Sequence, residues 1–361
     1  MIFESHSENQ ISKELEADRD SLLHAYFAID PDVKNREILK LLLDSQIYKE
    51  LKADKDRGGL SHAYLVLGPD KKTREVFKML ASVLILCKKG GCMKCAICRN
   101  IIAKGHADIK NINEEGDLKV EDLSGLIDEI YTKPISGDKK IFFIDNLEIP
   151  ASSQRVQNKL LKIYEEPPKN VIIFMLARGE AGVLPTIISR AKSIYLPKFT
   201  TNQIFDVLIA EDIAEYTAEM AASLSSGRFD KAYDFADKEE NIELFESILE
   251  FLVNLKSSKD VSKYLNSYIF QKANMETTFE IIQVILNDAL IRVSGSSKSL
   301  ATMDRDYYID EIAKMHNAGS LALAILATTE AKKMLSLSVS ETSIAESFML
   351  NMLQSKYKAM L

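Results

Sequence analysis

Three short apolar runs limit what the first two hundred residues can become. HAYLVLG (62–68), KKIFFIDN (139–146) and NVIIFMLA (170–177) are near-continuous stretches of aliphatic and aromatic residues. Strands of that kind are buried on both faces, as parallel strands under helices are. The segments between them carry helical periodicity: REVFKMLASVLIL (74–86), VEDLSGLIDEIYTK (120–133) and SSQRVQNKLLKIYEE (152–166), the last stopped by Pro167 and Pro168. The alternation predicts an α/β domain with a parallel sheet covered on both faces, to about residue 200. Beyond it no strand candidate stands out. TNQIFDVLI, AEYTAEMAASLSSG and RFDKAYDFAD predict small helices to about 238, longer helices follow from about 240, and SGSSKSLATMD (294–304) reads as a loop.

An internal repeat precedes this domain and enters it. LLHAYFAIDPDVKNREILKLL (22–42) and LSHAYLVLGPDKKTREVFKML (60–80) agree at 11 of 21 positions, including His24/His62, Tyr26/Tyr64, Arg36/Arg74 and Glu37/Glu75. QISKELEADRD (10–20) and QIYKELKADKD (46–56) agree at 8 of 11. The offsets, 38 and 36, differ by a short insertion near Gly58 and Gly59. Two copies are too few for a solenoid, so one helix–strand–helix unit is duplicated within a larger domain. Copy two runs on into the sheet domain and is expected to fill the central strand position. Copy one (strand 24–30) is then left to pack outside, pair at an edge or stay mobile. His24 and His62 start the two strands, and strand-end packing accounts for both.

With 361 residues the chain has room for two or three domains, and its net charge of -7 argues against gripping nucleic acid over its whole surface. No stretch of eighteen apolar residues occurs, and MIFESHSENQ lacks the basic and apolar regions of a secretory signal, so a cytoplasmic protein is expected. All four cysteines fall in Cys87-x4-Cys92-x2-Cys95-x2-Cys98. In a reducing compartment that cluster reads as a metal site rather than a disulfide framework. Four thiolates suit tetrahedral Zn²⁺ and leave no position for substrate, so the predicted zinc is structural. Lys88, Lys89, Lys94 and Arg99 would offset the thiolate charge. The competing reading is four buried or redox cysteines.

HAYLVLGPDKKTREVF has the strand, turn and helix of a phosphate-binding loop but not its chemistry. A working loop needs two glycines whose amides approach phosphate, followed by Lys and Ser or Thr. Gly68, Lys71, Lys72 and Thr73 are present, but the second glycine is missing, the loop is about three residues short of that pattern, and Asp70 puts negative charge where phosphate would sit. The copy at Asp30-Pro31-Asp32 lacks even the first glycine. No ATP binding by this chain is expected.

LSHAYLVLGP, the four-cysteine knuckle, Lys133-Pro134, KKIFFIDN, NKLLKIYEEPP, NVIIFMLA and PTIISRAKSIYL together resemble the AAA+ clamp-loader family of bacterial DNA polymerase III, closely over about 46–200 and loosely beyond. The resemblance implies that Asp145 stands at a degenerate Walker B position, with Asn146 and Leu147 departing from the acidic pattern. Ala177 falls at sensor 1, where an active member has a hydroxyl, and Gly227-Arg228 resembles the sensor-2 region. Ser189-Arg190, with Ala191 in place of cysteine, matches the motif whose arginine enters the neighbouring subunit's ATP site, so Arg190 is expected to act in trans as an arginine finger. The bland alternative for Arg190 is a helix-end surface charge. Losing the loop, the acidic pair and sensor 1 while keeping the trans-acting arginine resembles a delta-prime subunit more than gamma/tau.

The resemblance also implies the organisation and the partners. The expected segments are 1–44, an N-terminal duplicated unit; 45–200, the AAA+-like domain with the knuckle at 87–98; 201–239, a helical lid; and 240–361, a helical collar. The expected role is a stator without intrinsic ATPase in the polymerase holoenzyme. Its partners would be gamma/tau-type ATPases and a delta subunit, and indirectly the sliding clamp and primed DNA. An active gamma/tau-like motor and a zinc-containing DNA-binding adaptor are the alternatives.

Overall fold

The computed structural model describes residues 23, 26, 33–113, 129–147, 157, 158, 161, 168–238, 240–295, 305–337 and 339–358. The chain forms two compact units, Met1–Phe199 and Thr200–Leu361.

The first unit is built on five parallel strands, β1 (Ala63–Leu67), β2 (Ile109–Ile112), β3 (Lys140–Ile144), β4 (Val171–Ala177) and β5 (Lys192–Tyr195), in the order β2-β3-β4-β1-β5. The three apolar runs of the sequence are the three central strands, and every residue of each is buried. The edge strands IKNI and KSIY were not read from sequence. They are short and carry a lysine each, which also discourages pairing with another chain. On one face Tyr64, Phe174 and Phe143 stack across adjacent strands with centroids 4.9 and 5.2 Å apart, and Phe77 meets Phe174 edge-on at 5.9 Å. On the other face Leu65, Phe142, Ile173 and Met175 pack with Ile130, Leu147, Val183 and Ile187.

The described helices of this unit are α1 (Val33–Asp44), α2 (Gln46–Asp56), α3 (Lys71–Leu86), α4 (Ala96–Ile102) and the single turn α5 (Pro185–Ile188). The glycine insertion between the repeats ends α2. Gly58, at φ +68°, donates to Lys55 O (2.9 Å) and Gly59 donates to Asp54 O (2.8 Å), the paired bonds of a left-handed helix stop. The segments 120–133 and 152–166 lie largely outside the described residues; Glu129, Ile130, Gln157, Asn158 and Leu161 are helical.

Copy two of the repeat supplies β1, which pairs with β4 on one side and β5 on the other. Copy one departs from the strand expectation. Leu23 and Tyr26 are helical and buried, and the rest of 10–30 lies outside the described residues. Both edges of β1 are already paired, so no central slot is left for a second copy of it. The helix of copy one, α1, packs against α2 and α3.

All regular structure described in the second unit is helical: α6 (Thr201–Ala210), α7 (Glu215–Leu224), α8 (Phe229–Ala236), α9 (Glu240–Asn254), α10 (Ser258–Tyr264), a 3₁₀ turn at Tyr268–Phe270, α11 (Met275–Val293), α12 (Asp306–Met315), α13 (Ala318–Ser336) and α14 (Glu341–Lys358). A Thr200–Gln203 capping box starts the first of them. Phe251, Phe270, Phe279 and Phe348 form its aromatic centre. Tyr216 on α7 donates to Glu246 on α9 at 2.7 Å, and Lys231 on α8 pairs with Glu280 on α11, so both expected helical segments contribute to one unit. Among the described residues no helix is long and apolar enough to cross a membrane.

Candidate functional site: a filled anion niche, a cysteine knuckle and an exposed arginine

The turn after β1 delivers Asp70 as the N-cap of α3. Its Oδ1 accepts from the backbone N–H of Lys72 (3.0 Å) and Thr73 (3.4 Å), and its Oδ2 accepts from the Thr73 hydroxyl (2.8 Å). These first-turn amides are the donors a phosphate group uses at a helix N-terminus. Here a carboxylate of the same chain is bonded to them, and Thr73 is turned onto that carboxylate. Lys72 lies 3.9 Å from Glu75. Gly68 has a packing reason to be glycine: a Cβ there would stand 2.8 Å from the Leu196 Cβ.

Asp145, at the end of β3, is likewise engaged within the chain. Lys78 donates to its Oδ2 at 2.9 Å, and Arg74 brings Nε to 3.7 Å from Oδ1. The side chains of Arg74, Lys78 and Asp145 are 6, 10 and 9% exposed. Arg74 also reaches Gly68 O at 3.3 Å, tying the turn to the acid. In an active site of this kind the acid serves a magnesium ion; in this chain it serves two cations from α3. Sequence reasoning passed over Arg74 and Lys78. The signal was present as two cations four residues apart on REVFK, on a helix whose Val76 and Phe77 are buried. Asn146 sits at φ +54°, which asparagine tolerates better than most residues, and donates to Asn113 O at 3.4 Å. Ala177 is buried and offers no hydroxyl; its carbonyl accepts from Gly68 N–H at 2.9 Å. His62 is exposed, and its carbonyl accepts from Ile173 N–H at 2.9 Å within the sheet.

The structure brings the four cysteines together where α3 meets α4, with Cys95 as the N-cap of α4 and Cys98 in its first turn. Sγ–Sγ separations are 3.6 Å (Cys87–Cys92), 3.8 Å (Cys87–Cys95) and 3.5 Å (Cys95–Cys98), and all four sulfurs lie within 4.8 Å of one another. A tetrahedron with Zn–S of about 2.3 Å has edges of about 3.8 Å, so the set fits a metal ion. A disulfide would need about 2.05 Å. Burial opposes ionisation of Cys87, but backbone hydrogen bonds from Cys92, Gly91 and Lys89 outweigh it and bring the thiol down to about 6. Burial and the neighbouring thiols of Cys95 and Cys87 push Cys98 up. One cation not read from sequence belongs here. Lys55 on α2 reaches into the end of α3, donating to Leu84 O and, at 2.7 Å, to Cys87 O. It sets a positive charge where helix-end carbonyls and thiolates concentrate negative charge.

Arg190 follows α5 and is exposed. Its guanidinium touches its own turn through a 3.4 Å contact from Nη1 to Thr186 O, and Ser189 Oγ likewise donates to Thr186 O. Ala191 packs against the sheet core. Arg228, the sensor-2 candidate, is held by a bidentate pair with Asp230 at 2.9 and 2.7 Å.

The family model described as "DNA polymerase III, delta subunit" matches residues 43–200. The delta-prime subunit of DNA polymerase III from Bacillus subtilis is 26% identical over 273 residues, 73% of this chain and 82% of that protein. A gamma subunit from Buchnera aphidicola is 32% identical over 158 residues, with 43% of its length spanned. A solved gamma-subunit-related protein of Thermotoga maritima is 16% identical, aligned over 86% of this chain and all of that one at a TM-score of 0.39. Residues 43–200 therefore match the DNA polymerase III delta-subunit family model, and the chain is similar to subunits of the bacterial clamp loader. Among these relatives, the match that spans most of the chain is to a delta-prime subunit.

Proposed function

We propose that this delta-prime-like subunit is a stator that binds no nucleotide itself and completes a neighbouring gamma/tau-type ATPase site with Arg190. The observation that carries the reading is a contrast within one unit. The helix-start amides and Asp145 are engaged by the chain's own side chains, whereas Arg190 is exposed just past a one-turn helix. A planar, permanently charged fork presented outward suits stabilisation of charge developing on a partner's γ-phosphate. In the same reading Cys87, Cys92, Cys95 and Cys98 hold a structural zinc ion. The ion would cross-link the end of α3 to the start of α4 and supply folding energy rather than chemistry. Residues 201–239 act as a lid and 240–361 as the collar that meets gamma/tau-type and delta subunits. Contact with the sliding clamp and primed DNA runs through them, and the compartment is the cytoplasm.

The test compares wild type with Arg190→Ala in a complex with gamma/tau-type subunits, alongside the isolated chain. The expected result is no ATP binding by the isolated chain and a loss of DNA-stimulated hydrolysis in the Arg190→Ala complex with assembly intact. ATP hydrolysis by the isolated chain would replace the stator with a motor. Unchanged hydrolysis in the complex would remove the finger.

A further inference from the structure

Gln157 is fully buried, and no part of its amide is idle. Its Nε2 donates to Leu147 O at 3.0 Å and to Gly182 O at 2.8 Å, and its Oε1 accepts from Leu184 N–H at 2.7 Å. Leu147 is two residues past Asp145, and its own N–H is bonded to Leu176 O on β4 at 3.2 Å. Gly182, at φ +87°, belongs to the loop leading into α5, and Leu184 is the N-cap of α5. One side chain therefore joins the end of β3 to the beginning of the turn that carries Arg190.

That turn has no other described side-chain hydrogen bond at its start. A helix of four residues is far below the length at which helical structure sustains itself. Leu184 gives it no side-chain cap. Val183 and Ile187 are buried in the sheet core and Leu184, Ile188 and Ala191 pack against it, but these contacts are not directional; the described side-chain hydrogen bond at its start is the remote amide of Gln157, 27 positions earlier in the chain. From Leu184 the backbone bonds are consecutive: Ile187 N–H to Leu184 O (2.9 Å), Ser189 N–H to Pro185 O (2.9 Å) and Arg190 N–H to Ile187 O (3.1 Å). A displacement at Leu184 is carried to Arg190 through that single turn.

We infer that Gln157 is a positioning residue for Arg190: its amide fixes the one-turn helix to the sheet so that the guanidinium is held where a neighbouring subunit's nucleotide requires it. The inference rests on the proposed trans-acting role of Arg190. A buried polar group with all partners satisfied is suited to fixing one arrangement, because any other leaves unpaired donors and acceptors.

The experiment measures ATP turnover of the assembled gamma/tau-containing complex with wild type, Gln157→Leu, Arg190→Ala and the double variant. Zinc content, melting temperature and complex assembly are recorded for each. A misplacement of about 1 Å can cost up to about 100-fold in a positioned reaction. Gln157→Leu is expected to lower kcat at the site completed by Arg190 by about 10- to 100-fold with KM for ATP unchanged, and to add nothing in the Arg190→Ala background. Leu184→Pro deletes the same hydrogen bond from its other end, at a backbone φ of -63° that proline adopts, and is expected to give the same kinetic pattern. It keeps the question decidable if Gln157→Leu does not fold. If Arg190→Ala lowers turnover but neither substitution does, the positioning role is wrong and the finger stands. If either substitution lowers turnover further in the Arg190→Ala background, its effect does not pass through Arg190, and the inference is overturned. If Arg190→Ala itself changes nothing, the finger reading fails first.

Discussion

Replacing Asp145 by asparagine keeps the shape of the residue and removes the anion that faces Arg74 and Lys78. The structure sets the size of the effect. The three side chains are at most 10% exposed, so neither cation can turn to bulk water without unpacking α3 from the sheet. Breaking a buried charge pair from one side costs about 3–5 kcal/mol, mostly because the remaining charge is stranded. Domain stabilities are about 5–15 kcal/mol, so about a fifth or more of the total is at stake. Lys78→Met should cost less, since Arg74 and Asp145 then still face each other. The double variant should cost less than the sum of the singles by at least about 1 kcal/mol. The assay is urea unfolding at fixed zinc, paired with hydrogen exchange on α3 and β3 amides. The exchange reads the first unit alone, because two units need not unfold together. Raising salt to about 0.5 M should leave the difference in place, since buried pairs are poorly screened. A cost below about 1 kcal/mol, the worth of an exposed pair, would refute the view that Asp145 is neutralised internally.

Three further outcomes follow from single contacts. Lys55→Met should weaken zinc binding about tenfold or more in chelator competition, as loss of a supporting group around a metal commonly does, while Lys55→Arg should retain most of it; equal affinities would reduce Lys55 to packing. Gly68→Ala should destabilise the first unit by about 1–3 kcal/mol in urea unfolding, because its Cβ meets Leu196 at 2.8 Å; a neutral result would mean that the β5 end yields freely. Burial, helped by the nearby Lys356, pushes buried His316 down to about 4 from its usual 6.5. The unfolded chain therefore binds this proton first as pH falls. Its contribution to the second unit is complete above 6.5 and is lost between 6.5 and 4, by about 3 kcal/mol at most. His316→Gln should flatten that part of the melting-temperature profile, and an unchanged slope would show that His316 does not titrate as argued.

The central strands, the helix of copy two, the cysteine cluster and the all-helical second half were legible because each is written in local pattern. Three fully buried strands need apolar runs, and two overlapping C-x2-C spacings leave little but a metal site. The edge strands were not legible, because IKNI and KSIY are half-covered and too short to show a period. The degenerate loop was recognised by what it lacks, a second glycine. What fills its place was not, since the bond from Asp70 to two amides and the approach of Arg74 and Lys78 to Asp145, 67 positions beyond Lys78, are contacts of the fold. Gln157 was invisible for the same reason. Its three partners lie 10 to 27 residues away, and a glutamine inside a helical pattern reads as surface.

The duplicated helix shows how far position decides the work of a residue. α1 and the aligned turns of α3 bury the same face: Ile38 and Val76, Leu39 and Phe77, Leu42 and Leu80, Leu43 and Ala81 are all buried. Both copies carry the same two cations on the neighbouring face, Arg36 and Lys40 in one, Arg74 and Lys78 in the other. In α3 these side chains are 6 and 10% exposed and face Asp145. In α1 they are 41 and 47% exposed and lie near Glu37, a surface pairing of small energetic weight. The difference comes from what lies opposite. Copy two supplies the central strand, so its helix runs beside the end of β3 and meets an acid there; the helix of copy one meets α2, α3 and solvent. Asp145 thus sets what the shared cations do in copy two, and a neutral substitution of Lys40 should leave stability within about 0.5 kcal/mol of wild type, whereas the same change at Lys78 should not.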